Sequence, residues 1–170
     1  LRMLLQGNWR GAPLREQTPA RINRKLRLLQ RIGWHFTTAQ DRWRDYLPGD
    51  ELDELLETDP DASYLWRTAP TPPTGEGGDY QGLLTELSER DGVFVAAGQG
   101  GPGEAVPYLF LHRTLHEHLT AMHLASQPAE VWQAHVERIS VFDADWIETL
   151  VLMAGCVDDP ARLVRAILAG

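Results

Sequence analysis

At 170 residues, with 43% hydrophobic and 24% charged side chains, the chain has the balance of an ordinary soluble globular protein rather than a disordered one. No run of about 18 apolar residues offers a membrane span, and the N-terminus lacks the charged-then-apolar pattern of a secretion signal. The net charge of −8 is unevenly placed: residues 1–44 carry ten Lys/Arg against two acids, 45–91 carry two against thirteen, and the remainder carries four against nine.

The chain opens without Met and in the middle of an apolar pattern, Leu1, Met3, Leu4 and Leu5, which reads as an excised segment of a longer protein. A long helix is predicted from about Pro19 to Phe36, with Pro19 in the first turn, where its missing N–H is no loss. Ile22, Leu26, Leu29 and Ile32 recur at three- and four-residue steps and make one buried stripe. Arg21, Arg24, Lys25, Arg27 and Arg31 share that helix. We read them as a solvated face that pairs within the chain, with phosphate or an acidic partner as the other uses of such a pattern.

Thr37 and Thr38 are placed to cap a short helix bearing Trp43 and Tyr46, stopped by Pro48 and Gly49. Asp50 then caps a helix through Leu52, Leu55 and Leu56 that ends near Asp59 and Pro60. Residues 67–80 are too rich in Pro and Gly for a regular element and read as a mobile surface loop. Gln81 to Glu89 reads as a helix, Val93 to Ala97 as a strand, Gly98 to Glu104 as a turn and Val106 to Leu111 as the returning strand. A helix follows from Arg113 or Thr114, with Leu115, Leu119 and Met122 on its apolar face.

Beyond Pro128 the pattern is helical again, with Trp132, Val136 and Ile139 on one stripe and Trp146, Leu150 and Met153 on the next. Asp159 caps a last helix carrying Leu163, Val164, Ile167 and Leu168. No clear internal repeat is visible. The six tryptophans, at positions 9, 34, 43, 66, 132 and 146, suit core anchoring between helices.

No complete catalytic constellation is present: a Walker A loop, a paired acidic Mg site and a Gly-x-Ser-x-Gly elbow are all missing. The glycines at 98, 100, 101 and 103 lie between two strands and do not open a helix, so they form no phosphate cradle. His112, His116, His118 and His123 raise the thought of zinc. The spacing fails, because Thr120 stands where His-Glu-x-x-His needs its second histidine, and these side chains read instead as polar decoration of an exposed helix face. Cys156 reads as a small buried hydrophobe. Being alone, it forms no internal disulfide, which agrees with a reducing, cytoplasmic setting. His112, where a strand stops and a helix starts, is set beside the backbone amides that make helix starts good anion sites. The plainer role for it is to cap that helix. Glu117 pairs with Arg113 one turn earlier, on the helix side away from Leu115 and Leu119.

Phe110, His112, Thr114, Glu117 and Ala121, in that spacing, resemble the motif that closes the winged-helix domain of NACHT-type signalling NTPases, the family that includes the NOD-like receptors. Leu83 and Leu84 resemble the leucines before the wing, Trp146 to Gly155 resembles the helix that follows, and Leu1 to Arg15 looks like the end of the preceding helical domain. Leu115, His116, His118 and Thr120 depart from the family's usual Phe, Gln, Tyr and Ala.

The resemblance implies a mainly α fold: residues 1–17 end a helical domain, 18–126 form a winged-helix domain with a small β-hairpin and the flexible loop 67–80, and 127–170 start the following helical domain. It further implies that His112 contacts the β-phosphate of ADP held by the nucleotide-binding domain of the same parent chain, with Arg113, Thr114 and Glu117 in support, and so keeps a nucleotide switch closed. ADP or ATP with Mg belongs to the parent, an ATP- or GTP-hydrolysing protein that self-associates on activation in a signalling or bacterial defence role; the segment itself carries no catalytic or metal site.

The competing reading is a DNA-binding winged-helix transcriptional regulator. It is disfavoured because Gln81 to Glu89 carries two acids and no basic residue, whereas a recognition helix needs cations toward phosphates and bases.

Overall fold

The computed structural model describes residues 19–38, 45–60, 84, 86–98, 105–139 and 143–170. Among the described residues two helices come first, α1 (Pro19–Thr38) and α2 (Gly49–Thr58), followed by a short π-helical turn (Glu86–Arg90) and the strands β1 (Phe94–Ala96) and β2 (Tyr108–Phe110). Four helices complete the chain: α3 (Arg113–Ala125), α4 (Ala129–Val136), α5 (Ala144–Ala154) and α6 (Pro160–Ala169). The chain is therefore mainly α with one small antiparallel pair, as its sequence predicts. Expectations for Leu1 to Arg15, Trp43, Trp66, the loop 67–80, Gln81 to Leu83 and the turn residues 99–104 fall outside the described residues.

The α1 stripe forms as its periodicity requires. Ile22, Leu26, Leu29 and Ile32 are all buried, and burying such a side chain is worth roughly 1.5–3 kcal/mol. They join Leu52, Leu55 and Leu56 of α2, with Phe94 and Phe110 of the hairpin and Leu119 of α3, in a first core. Phe94 pairs with Phe110 and Ala96 with Tyr108 across the two strands. Leu47, between α1 and α2, exchanges both backbone bonds with Tyr108 at 2.8 Å and adds a single rung to the hairpin.

A second core gathers Ala121 and Leu124 of α3, Trp132 and Val136 of α4, Leu150 and Met153 of α5, and Leu163 and Ala166 of α6. Helix α3 thus supplies side chains to both. A row of rings crosses between the cores: Trp34 stacks on His123 at 5.3 Å and meets His135 edge-on at 4.7 Å, and His135 lies 5.7 Å from Trp146.

Several local expectations are corrected. Thr37 and Thr38 end α1 instead of capping a new helix, because their hydroxyls bond back to the carbonyls of Gly33 and Trp34 four residues earlier. Asp50 is the second residue of α2; the cap position is Pro48, which has no side-chain bond to offer. In α6, Asp159 caps as expected by accepting from the Arg162 amide, but Ala166 is buried while Val164 and Leu168 face outward. Cys156 lies in the turn after α5, only half-buried, and that partial burial pushes its thiol pKa up.

The basic residues of α1 divide. Arg31 pairs with Asp59 at the end of α2, and Lys25 leaves the solvated face altogether: its ammonium is buried, 2.6 Å from Asp91 beside the π-helical turn.

Gly49 begins α2 directly against Val106, where a Cβ would stand 2.6 Å from the Val106 carbonyl oxygen. Backbone cannot yield as a flexible side chain would. Gly49→Ala is expected to destabilise the chain by about 2 kcal/mol, a melting shift of about 5 °C that thermal unfolding followed by circular dichroism would read.

Candidate functional site

Strand β2 stops at Phe110 because Phe110 is the last residue with a partner on β1. Leu111 and His112 then bend the chain into α3. His112 keeps an extended backbone, φ −131° and ψ 133°, while its carbonyl already accepts from the amides of Leu115 at 3.0 Å and His116 at 3.3 Å. That is the geometry of a helix N-cap, yet the imidazole makes no capping bond. The plainer role, a histidine that caps its own helix, is therefore set aside. Its ring is exposed, as are Arg113 and Thr114 beside it. An exposed donor stands next to the first turn of a helix 13 residues long, whose leading amides and dipole favour an anion.

Two devices fix this junction. In the first, the Arg113 guanidinium bonds Glu117 through Nε at 2.9 Å and Asp145 of α5 at 2.8 Å. These two carboxylates, Asp145 first, hold the arginine pKa above its ordinary value. The predicted Arg113–Glu117 pair is present. Glu117 itself is 4% exposed, so the helix side away from Leu115 and Leu119 is also covered, by the packing of α3 against α1 and α5. A carboxylate so placed needs its cation, and the bridge to Asp145 ties the start of α3 to the start of α5.

The second device is His116, which sequence reasoning took for surface decoration. Its ring is 3% exposed, stacked on Phe110 at 5.1 Å and edge-on to Phe36 at 5.2 Å. Nε2 lies 3.0 Å from the Gly33 carbonyl and 3.1 Å from the Thr37 hydroxyl. Thr37 donates to the same carbonyl and lies 3.1 Å from the Thr120 hydroxyl. The network assigns the proton to Nε2, since a carbonyl only accepts. Burial pushes the His116 pKa down to about 4, helped by Arg113 and opposed by the bond to Gly33. The ring is neutral at pH 7. The close approach depends on Gly33, whose missing Cβ would lie 3.3 Å from that of Leu119.

The other histidines are not plain decoration either. His123 stacks on Trp34, and half-burial lowers the pKa of His118. Among the described residues, no group of three His, Cys, Asp or Glu side chains is placed to hold a metal ion. No described helix is long and apolar enough to cross a membrane.

The structure therefore brings His112, Arg113 and Thr114 together at one exposed corner and turns Glu117 inward as the anchor of Arg113. His116 is the residue that sequence reasoning missed; its signal was position, one turn after His112 on the side of α3 that meets α1. No family model, curated protein or solved structure matches the chain.

Proposed function

We propose that this chain is the winged-helix and adjoining helical portion of a NACHT-type nucleotide-switched signalling NTPase, and that His112 is the contact holding the ADP-bound, inactive form. One observation carries the reading: an exposed imidazole, making no capping bond, stands at the start of α3 on a junction held rigidly from behind. Helix, hairpin and closing helix are the parts of a winged-helix domain; here the described end of the expected Gln81 to Glu89 helix is a short π-helical turn, Glu86–Arg90, followed by the hairpin and α3, with β2 ending two residues before the histidine.

The residues present suit one phosphate contact. His112 offers a ring N–H, and the first turn of α3 offers its dipole; Arg113 is already engaged by two carboxylates and serves to position the corner. The nucleotide and its Mg would be held by the nucleotide-binding domain of the parent protein, which supplies the hydrolytic chemistry. Glu117 then acts through Arg113 alone.

A hydrogen bond to a charged group contributes ~1.5–3 kcal/mol, or roughly 10- to 150-fold in the equilibrium between closed and open forms. Only a contact made in one state shifts such an equilibrium, and His112 makes its contact with the ADP-bound arrangement alone. In the full-length parent, His112→Ala is expected to speed ADP release by about that factor and to raise basal signalling. Release of a fluorescent ADP analogue reads the first, and an unchanged rate removes the mechanism. The isolated segment is expected to bind ADP weakly or not at all.

A further inference from the structure

The last two helices expose the same pattern with opposite charge. On α5 it is Ala144, Ile147, Glu148 and Val151; on α6 it is Ala161, Val164, Arg165 and Leu168. In each, an apolar residue follows the alanine by three positions, a charged residue comes next, and a second apolar residue completes two turns. All eight are exposed, the larger apolar ones to 45% for Ile147, 63% for Val151, 52% for Val164 and 81% for Leu168.

These side chains do not hold the fold together. Each helix already buries a separate stripe, Thr149, Leu150 and Met153 on α5 and Leu163 and Ala166 on α6. An outward row at steps of three, four and seven is the arrangement by which one helix lies along another, and apolar faces left in water on both helices are a marker of an interface. Within one copy neither face covers the other. Arg165 pairs with Asp159, the cap of its own helix, at 3.5 Å, with the two side chains 68% and 56% exposed, a contact worth little.

We propose that the α5 face of one copy docks against the α6 face of a second copy, in a twofold dimer that forms both pairs at once. Charge decides this pairing over the others. Laying α5 on α5 would set Glu148 against Glu148 and α6 on α6 would set Arg165 against Arg165, whereas α5 on α6 sets Glu148 against Arg165 between two apolar pairs. The closed twofold satisfies all four faces and leaves none to propagate. This dimer does not depend on the nucleotide reading, since none of its residues belongs to the His112 corner.

Sedimentation velocity of the full 170-residue chain, at concentrations up to about 100 μM, tests it in the affinity range usual for modest interfaces. A concentration-dependent dimer is expected. Glu148→Arg alone and Arg165→Glu alone should each weaken it by about tenfold or more, because each sets like charges together. An equimolar mixture of these two variants should recover the dimer, and so should the doubly reversed variant. Leu168→Asp should abolish association while leaving the circular dichroism melt unchanged, since this side chain supports nothing within one copy. A chain that stays monomeric throughout overturns the proposal, as does a dimer indifferent to the single reversals or a mixture that fails to recover.

Discussion

Lys25→Met is expected to lower the stability of the chain by about 4 kcal/mol, the largest effect of any single substitution considered. Lys25 and Asp91 are 2% and 0% exposed with 2.6 Å between ammonium and carboxylate, so both ions are out of water and face each other. Removing the lysine takes the ammonium away from a carboxylate that stays buried, and the desolvation of that carboxylate, more than the lost attraction, sets the size of the effect. The pair itself is not a strong stabiliser. Replacing both ions together, Lys25→Met with Asp91→Leu, is therefore expected to recover most of the loss, because matched apolar groups avoid both desolvation penalties. Urea unfolding of the two single variants and the double variant reads the coupling directly. A single variant within about 1 kcal/mol of the parent would mean that Asp91 is solvated some other way. The pair joins α1 to the turn that precedes β1, so its loss also loosens the base of the hairpin leading to His112.

Much of this was legible because periodicity reports burial well when the buried face is apolar. The α1 stripe, the bounds of α2 near Asp59, the hairpin and the strand-to-helix junction at His112 all follow from patterns with one solution. What escaped was burial of polar residues. Lys25 lies three positions after Ile22 and four before Leu29, squarely on the buried stripe, yet its charge grouped it with the solvated arginines around it. Its position was readable; its partner, 66 residues away, was not. Likewise Leu115, Leu119 and Met122 defined one face of α3, whereas His116, Glu117 and Thr120 are buried because α1 and α5 close on the helix from further sides. No spacing rule announces a second and third neighbour. At the C-terminal end the error ran the other way: Val164 and Leu168 fit an apolar stripe and were expected inside, but the residues of α6 that are buried are Leu163 and Ala166, with Ile167 partly buried against the same core.

Acid should unlock the α1–α3 contact through His116, and a variant without the imidazole should show it. The His116 pKa is about 4 in the folded chain against an ordinary 6.5, so between those values the unfolded state takes up a proton that the folded state refuses. The sign follows. The contribution is fully present above pH 6.5 and is lost as pH falls toward 4, and over that window the ring accounts for about 3 kcal/mol of lost stability. Physically, a charged imidazole would be held out of water between the rings of Phe36 and Phe110, near the Arg113 cation, with its Nε2 on the Gly33 carbonyl and the Thr37 hydroxyl. His116→Gln retains an amide N–H for Gly33 but has no proton to gain. It is expected to be less stable than the parent at pH 7, through poorer packing against the two phenylalanines, and to lose about 3 kcal/mol less on going from pH 7 to pH 4. The comparison isolates His116 from the carboxylates and from His118 and His135, whose titration both proteins share. Parallel pH profiles for parent and variant would show that the folded ring accepts its proton freely, and the buried network would then not be the lock between α1 and α3. Since His112 and His116 are one helical turn apart, a parent protein that uses His112 on ADP should lose its nucleotide in the same acid window in which α3 comes away from α1.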